Sequence, residues 1–156
     1  MKQQTIRTSF ELSGKGLHTG LMIRAVVKPA AEDTGLLIRR VGLPGQPAYR
    51  ALAQYVSATE RGTVLSAGEW KVSTIEHALS ALYALGITNC EIELDAPEMP
   101  ILDGSAKPFV DAILQAGIQE QEAEAPELVI DRTIEYQAAS GSAYRLEPAD
   151  EPQFEV

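Results

Sequence analysis

Ser73-Thr74-Ile75-Glu76-His77-Ala78-Leu79-Ser80-Ala81-Leu82-Tyr83-Ala84-Leu85-Gly86 is the stretch on which the fold turns. Ile75, Leu79, Leu82 and, less regularly, Leu85 fall on one stripe at helical spacing. Ser73 is an N-cap residue type and Gly86 a natural stop, so the run reads as a helix over 73–85. On both sides the apolar period shortens. Residues 6–12 and 21–28 alternate as two strands of an antiparallel pair around a loop holding Gly14, Gly16 and Gly20. Between 36 and 72, short apolar stretches such as Leu36-Leu37-Ile38 and Thr63-Val64-Leu65 are broken by Gly42, Pro44, Gly45 and Pro47, with Gly68-Glu69 as a hairpin turn. Residues 88–94 read as another strand, and 105–116 as a second helix with Phe109, Val110, Ile113 and Leu114 toward a core. Strands, helix, strand, helix in this order describe the α+β class.

The same stretch carries the chemistry. Glu76 and His77 stand side by side at the helix start, and a hydrolytic metal site needs such a pair. A neutral imidazole holds a divalent metal through one ring nitrogen, and a carboxylate outside the coordination sphere takes a proton from water that the metal has acidified. Ser73-Thr74-Ile75-Glu76 also satisfies the capping-box pattern, in which Glu76 bonds back to the Ser73 backbone and needs no chemistry at all. Both readings stand at this point, the second being a noncatalytic α+β binding or scaffold module with a structural His77.

Composition narrows the classes. The 156 residues carry a formal net charge of −9 with a pI near 4.7, which opposes nonspecific attraction to nucleic acid and to anionic membranes. No apolar run approaches bilayer length, and Met1-Lys2-Gln3-Gln4-Thr5 does not open a signal peptide. Cys90 is the one cysteine, which rules out an intramolecular disulfide and fits a packed strand thiol in a reducing cytoplasm. With two histidines in all, the chain cannot build a three-histidine metal site alone.

Two further motifs flank the helix. Gly14-Lys15-Gly16-Leu17-His18-Thr19-Gly20 is a glycine-rich loop whose backbone can approach a ligand; it lacks the Walker pattern, and turn geometry alone also explains such glycines. His18 is its candidate for substrate contact. Asp95-Ala96-Pro97-Glu98-Met99-Pro100-Ile101-Leu102-Asp103-Gly104-Ser105 gathers three carboxylates and two prolines before the second helix, which Asp103 or Ser105 is placed to cap. Residues 120–127 are acidic, contain Pro126 and read as a linker, which puts a domain over 1–125 and the start of another over 126–156. In the latter, Leu128-Val129-Ile130, residues 134–136 and Gln153-Phe154-Glu155-Val156 read as strands, with a turn at Ser140-Gly141; too few residues follow the linker to close a core.

Taken in order, Gly14 to Gly20, Ser73 to His77 and Ala96-Pro97-Glu98-Met99-Pro100-Ile101-Leu102-Asp103-Gly104-Ser105-Ala106 closely resemble the amino-terminal domain of the UDP-3-O-acyl-N-acetylglucosamine deacetylases. The likeness extends through Pro108-Phe109-Val110. It implies zinc-dependent removal of the acetyl group from UDP-3-O-acyl-N-acetylglucosamine, a cytoplasmic step of lipid A biosynthesis. It also implies two similar domains, each a sheet with a helix pair, meeting at the active site, with the strands between 36 and 72 forming a small insert sheet. By resemblance His77 is the zinc ligand of this domain, Glu76 the general base, and His18 and Asp103 lie near the cleft with substrate-positioning or architectural roles. The family's remaining ligands, a His-x-x-x-Asp pair, and its histidine acid lie in the second domain. No histidine follows His77, so the resemblance implies an amino-terminal fragment, inactive without its missing carboxy-terminal domain. Some relatives also carry a fused dehydratase.

Overall fold

The computed structural model describes residues 1–151, 153 and 155, and the chain divides into two compact units, Met1–Ala125 and Pro126–Val156. The first is α+β. Its main sheet has the order β2-β3-β9-β4-β5, built from β2 (Phe10–Lys15), β3 (Met22–Pro29), β4 (Leu36–Arg40), β5 (Ala48–Arg50) and β9 (Cys90–Leu94). Only the β4 and β9 pair is parallel; β2 and β3 form the expected antiparallel pair, Phe10 opposite Val27 and Lys15 opposite Met22. Alternation along the strands sends one set of side chains inward: Ile23, Ala25 and Val27 from β3, and Cys90, Ile92 and Leu94 from β9, are all buried.

Two helices supply the other layer. α1 (Glu76–Ala84) and α2 (Lys107–Ala116) pack on each other, and Ala78, Ala81, Leu82, Phe109 and Ile113 join the strand residues in one core. Each large aliphatic side chain fully buried there contributes about 1.5–3 kcal/mol. Cys90 is part of this core, its thiol pushed up to about 12 by burial, so it is an inert packing group and no nucleophile.

A three-stranded sheet, β6 (Val56–Ala58), β7 (Val64–Ala67) and β8 (Trp70–Ser73), stands beside the main one, with Gly68-Glu69 as the two-residue turn between β7 and β8. Trp70 fastens it. The indole is buried, donates to the Ile38 carbonyl at 3.1 Å and lies 5.1 Å from the Tyr49 ring. The small sheet is therefore narrower than the 36–72 span expected. β4 and β5 belong to the main sheet, because Leu36 to Arg40 pair with Cys90 to Leu94, a partner some fifty residues away that no local pattern announces.

Residues 6–12 are likewise not one strand. β1 (Lys2–Ile6) pairs with β10 (Ile118–Glu124) in a separate ribbon, the chain breaks at Arg7-Thr8-Ser9, and β2 then enters the main sheet. The Arg7 amide donates to the Gly117 carbonyl and the Thr8 hydroxyl to that of Ala116, which fixes the break. β10 occupies most of the expected linker. Backbone pairing with β1 does not require apolar side chains, and Lys2 and the amino terminus both meet Glu124. Buried Asn89 ties this ribbon to the main sheet: it donates to Gln3 Oε1 at 2.7 Å and Gln121 Oε1 at 2.8 Å and accepts from the Gly35 amide.

The second unit contains one hairpin, β11 (Ile134–Gln137) and β12 (Ala143–Leu146), turning through Ser140-Gly141 with all eight strand residues exposed. Leu128-Val129-Ile130 is not a strand, and Leu128 and Val129 are exposed. In the expected strand 153–156, Phe154 and Val156 lie outside the described residues. Among the described residues, no helix is long and apolar enough to cross a membrane.

Candidate active site

Three chain segments meet around Gly62. Its φ of 143° is a backbone conformation L side chains rarely adopt, and a Cβ placed there would lie 3.2 Å from Glu76 Oε1, 3.8 Å from His18 Nε2 and 3.8 Å from Thr74 Oγ1. Glu76 is thus brought to the same point as His18, a residue nearly sixty positions earlier.

α1 begins at Glu76, so its carboxylate sits in the first turn, where the helix dipole favours negative charge. No capping box forms. Ile75 occupies the N-cap position without a side-chain bond, and Glu76 Oε2 accepts the Thr63 amide at 3.0 Å instead of the Ser73 amide. Ser73 is held elsewhere: it ends β8, and both its amide and its hydroxyl donate to the Pro97 carbonyl. Long-range pairing of Ser73 with the Pro97 loop overrides the local cap. His77 is half-buried, and among the described residues no hydrogen bond or ion pair engages its ring.

The His18 ring is oriented by the turn before Gly62. Nε2 lies 2.9 Å from the Arg61 carbonyl oxygen, which can only accept, so Nε2 carries the proton and Nδ1 is left for a ligand. A cleft of about 340 Å³ opens here, lined by His18, Thr19, Arg61, Lys71 and Pro97 among others.

Asp103 is not part of this meeting. It is exposed, and its Oδ1 accepts the Ser105 amide at 2.9 Å and the Ser105 hydroxyl at 2.8 Å, bonds that hold its carboxyl below the ordinary value. Ser105 Oγ accepts the Lys107 amide, so the two residues order the entry to α2 although Ala106 is its N-cap.

Glu98 is the residue that sequence reasoning passed over. It is fully buried, yet its Oε1 accepts the His18 amide at 2.9 Å and the Thr74 hydroxyl at 3.1 Å, and its Oε2 accepts the Thr19 amide at 2.9 Å and hydroxyl at 2.7 Å. One acid among Ala96, Pro97, Met99, Pro100 and Ile101 was the available signal, since a charge in an otherwise apolar loop implies an internal partner. Burial works against the charged form, but the bonds from Thr19, His18 and Thr74 outweigh it and hold the carboxyl below its usual 4.5. A depressed folded-state value contributes stability that is present above the unfolded pKa and is lost as pH falls through the folded one. The melting-temperature advantage of the parent over Glu98→Gln should therefore be full at neutral pH and shrink as the solution is acidified below 4.5. Thermal melts across that range showing a constant difference would contradict the assignment.

A zinc site needs three or four ligands. Among the described residues no group of three or more His, Cys, Asp or Glu is placed to hold a metal. His77, whose ring no hydrogen bond or ion pair engages among the described residues, is of a residue type that could supply one such ligand.

Comparison with known proteins decides the kinship. Residues 3–156 match the UDP-3-O-acyl N-acetylglycosamine deacetylase family. The chain belongs to this family. It is 53% identical over 156 residues to the Bifunctional enzyme LpxC/FabZ of Porphyromonas gingivalis, covering 99% of this chain and 34% of that protein. To a UDP-3-O-acyl-N-acetylglucosamine deacetylase of Thioalkalivibrio sulfidiphilus it is 42% identical over 150 residues, covering 96% of this chain and 49% of that one. This deacetylase-family chain spans about a third to a half of the length of the curated relatives it matches.

Proposed function

We propose that the chain supplies the amino-terminal half of a zinc-dependent deacetylase that hydrolyses the N-acetyl group of UDP-3-O-acyl-N-acetylglucosamine in lipid A biosynthesis. The observation that carries this reading is the convergence of Glu76 and His18 on Gly62, with His77 next to Glu76 in the chain and its ring free of hydrogen bonds and ion pairs among the described residues. Family membership supports it.

Glu76 is the general base. It receives a proton from water as the water oxygen adds to the acetyl carbonyl; the C–N bond then breaks as the nitrogen takes a proton from the histidine acid of the carboxy-terminal domain, giving acetate and the sugar amine. The Thr63 amide holds the carboxylate through Oε2 and leaves Oε1 toward the open side of Gly62. His77 is the zinc ligand from this half; zinc, when bound, polarises the carbonyl and acidifies water. His18, whose Nδ1 makes no hydrogen bond among the described residues, positions a polar group of the substrate, and Asp103 orders the turn into α2. The remaining ligands belong to a carboxy-terminal domain, without which the 156 residues do not turn over. The single buried cysteine suits the cytoplasm. The helix cap that the scaffold reading assigned to Glu76 is absent, since Glu76 accepts the Thr63 amide instead.

Metal removal tests this. A protein extended through the second domain should release acetate from UDP-3-O-acyl-N-acetylglucosamine, lose that activity on exhaustive chelation and regain it with zinc. Turnover indifferent to chelation would sink the proposal.

A further inference from the structure

Glu98 is costly to keep. Removing a carboxylate from water carries a penalty of several kcal/mol unless compensated, and among the described residues no lysine or arginine forms an ion pair with it; four hydrogen bonds hold it instead. All four partners are donors, so an acceptor-only carboxylate matches them and an amide cannot: either orientation of glutamine sets an NH₂ group against a backbone N–H.

Its partners are the two sides of the candidate site. One is the glycine loop, through the amide of His18 itself and through Thr19. The loop can sit there because residue 16 is glycine; a Cβ would be 2.3 Å from Glu98 Oε2. The other is Thr74, whose φ of 57° puts a β-branched residue in the left-handed region two residues before Glu76. Such strain costs about 1–3 kcal/mol and persists where the surroundings over-determine it, typically at functional sites. Here a buried charge and a strained threonine hold each other in place.

We propose that Glu98 is a positioning residue that sets the His18 imidazole against the Glu76 carboxylate by carrying the glycine loop and the Thr74 turn on its two oxygens. This rests on the deacetylase reading for its consequence in turnover and not for its structural half, and the test separates them. The chain's two imidazoles, His18 and His77, are resolvable by long-range ¹H–¹⁵N spectroscopy of the 156-residue protein. The parent should show neutral His18 as one tautomer with Nε2 protonated. In Glu98→Gln, His18 should become a mixture of tautomers while His77 is unmoved. Gly16→Ala, which displaces the carboxylate from the other side, should do the same, and Thr74→Val, which removes one bond of the four, is the milder variant to read if either of these does not fold. In the extended enzyme, Glu98→Gln should lower kcat about 10²-fold per folded molecule with zinc retained, the expected cost of a misplacement near 1 Å. A folded variant with an unchanged His18 tautomer overturns the proposal, and so does an altered tautomer with unaltered kcat. If the extended parent itself has no deacetylase activity, the functional reading fails while the tautomer measurement still decides what Glu98 holds.

Discussion

Replacing Glu76 by glutamine in the extended protein is expected to lower the rate of acetate release by ~10²–10⁴-fold, the usual contribution of a positioned general base. The size of the effect follows from how little else the change disturbs. A glutamine oxygen can still accept the Thr63 amide, α1 keeps its start because Glu76 makes no cap, and the side-chain volume beside Gly62 is nearly unchanged. What is lost is the ability to take a proton. Steady-state assays should therefore show a fall in kcat with little change in melting temperature, and a kcat near that of the parent would return Glu76 to a purely structural role.

His77→Ala should fail differently. The ring makes no hydrogen bond among the described residues, so its removal deprives the protein of a nitrogen donor and leaves no polar partner stranded. Loss of one protein ligand from a zinc site of three weakens metal binding directly. Metal analysis after dialysis should find stoichiometric zinc in the extended parent and a small fraction of it in His77→Ala, with activity falling in proportion and recovering in part at high zinc concentration. Full zinc occupancy in the variant would remove His77 from the coordination sphere.

Local pattern made much of this legible. The stripe through Ile75, Leu79 and Leu82 specified α1, the alternation in 21–28 specified β3, and the two residues Gly68-Glu69 specified a turn, because each is decided within a few positions. What depended on distant partners was hidden. Leu36 to Arg40 read as part of a small sheet until Cys90 to Leu94 were seen to pair with them. The acidic run after Ile118 read as a linker because its strand character comes from β1 at the other end of the unit. The site divided in the same way. Glu76 and His77 stood out by adjacency, and His18 by its glycines, but the point where Glu76 and His18 meet, at Gly62, lies in a stretch with no chemistry of its own. Glu98 was visible only as an acid in an apolar loop. The capping box failed for the converse reason: a valid local signal lost to the bonds of Ser73 with Pro97.

The central claim is that the two neighbours divide the work, Glu76 moving the proton and His77 holding the metal. Zinc affinity of Glu76→Gln, measured by competition with a chromophoric chelator on the same extended preparation used for turnover, tests it most directly. The account predicts an affinity close to that of the parent in a protein that no longer releases acetate; an affinity lost together with activity would make Glu76 a ligand, and the division of roles would be wrong.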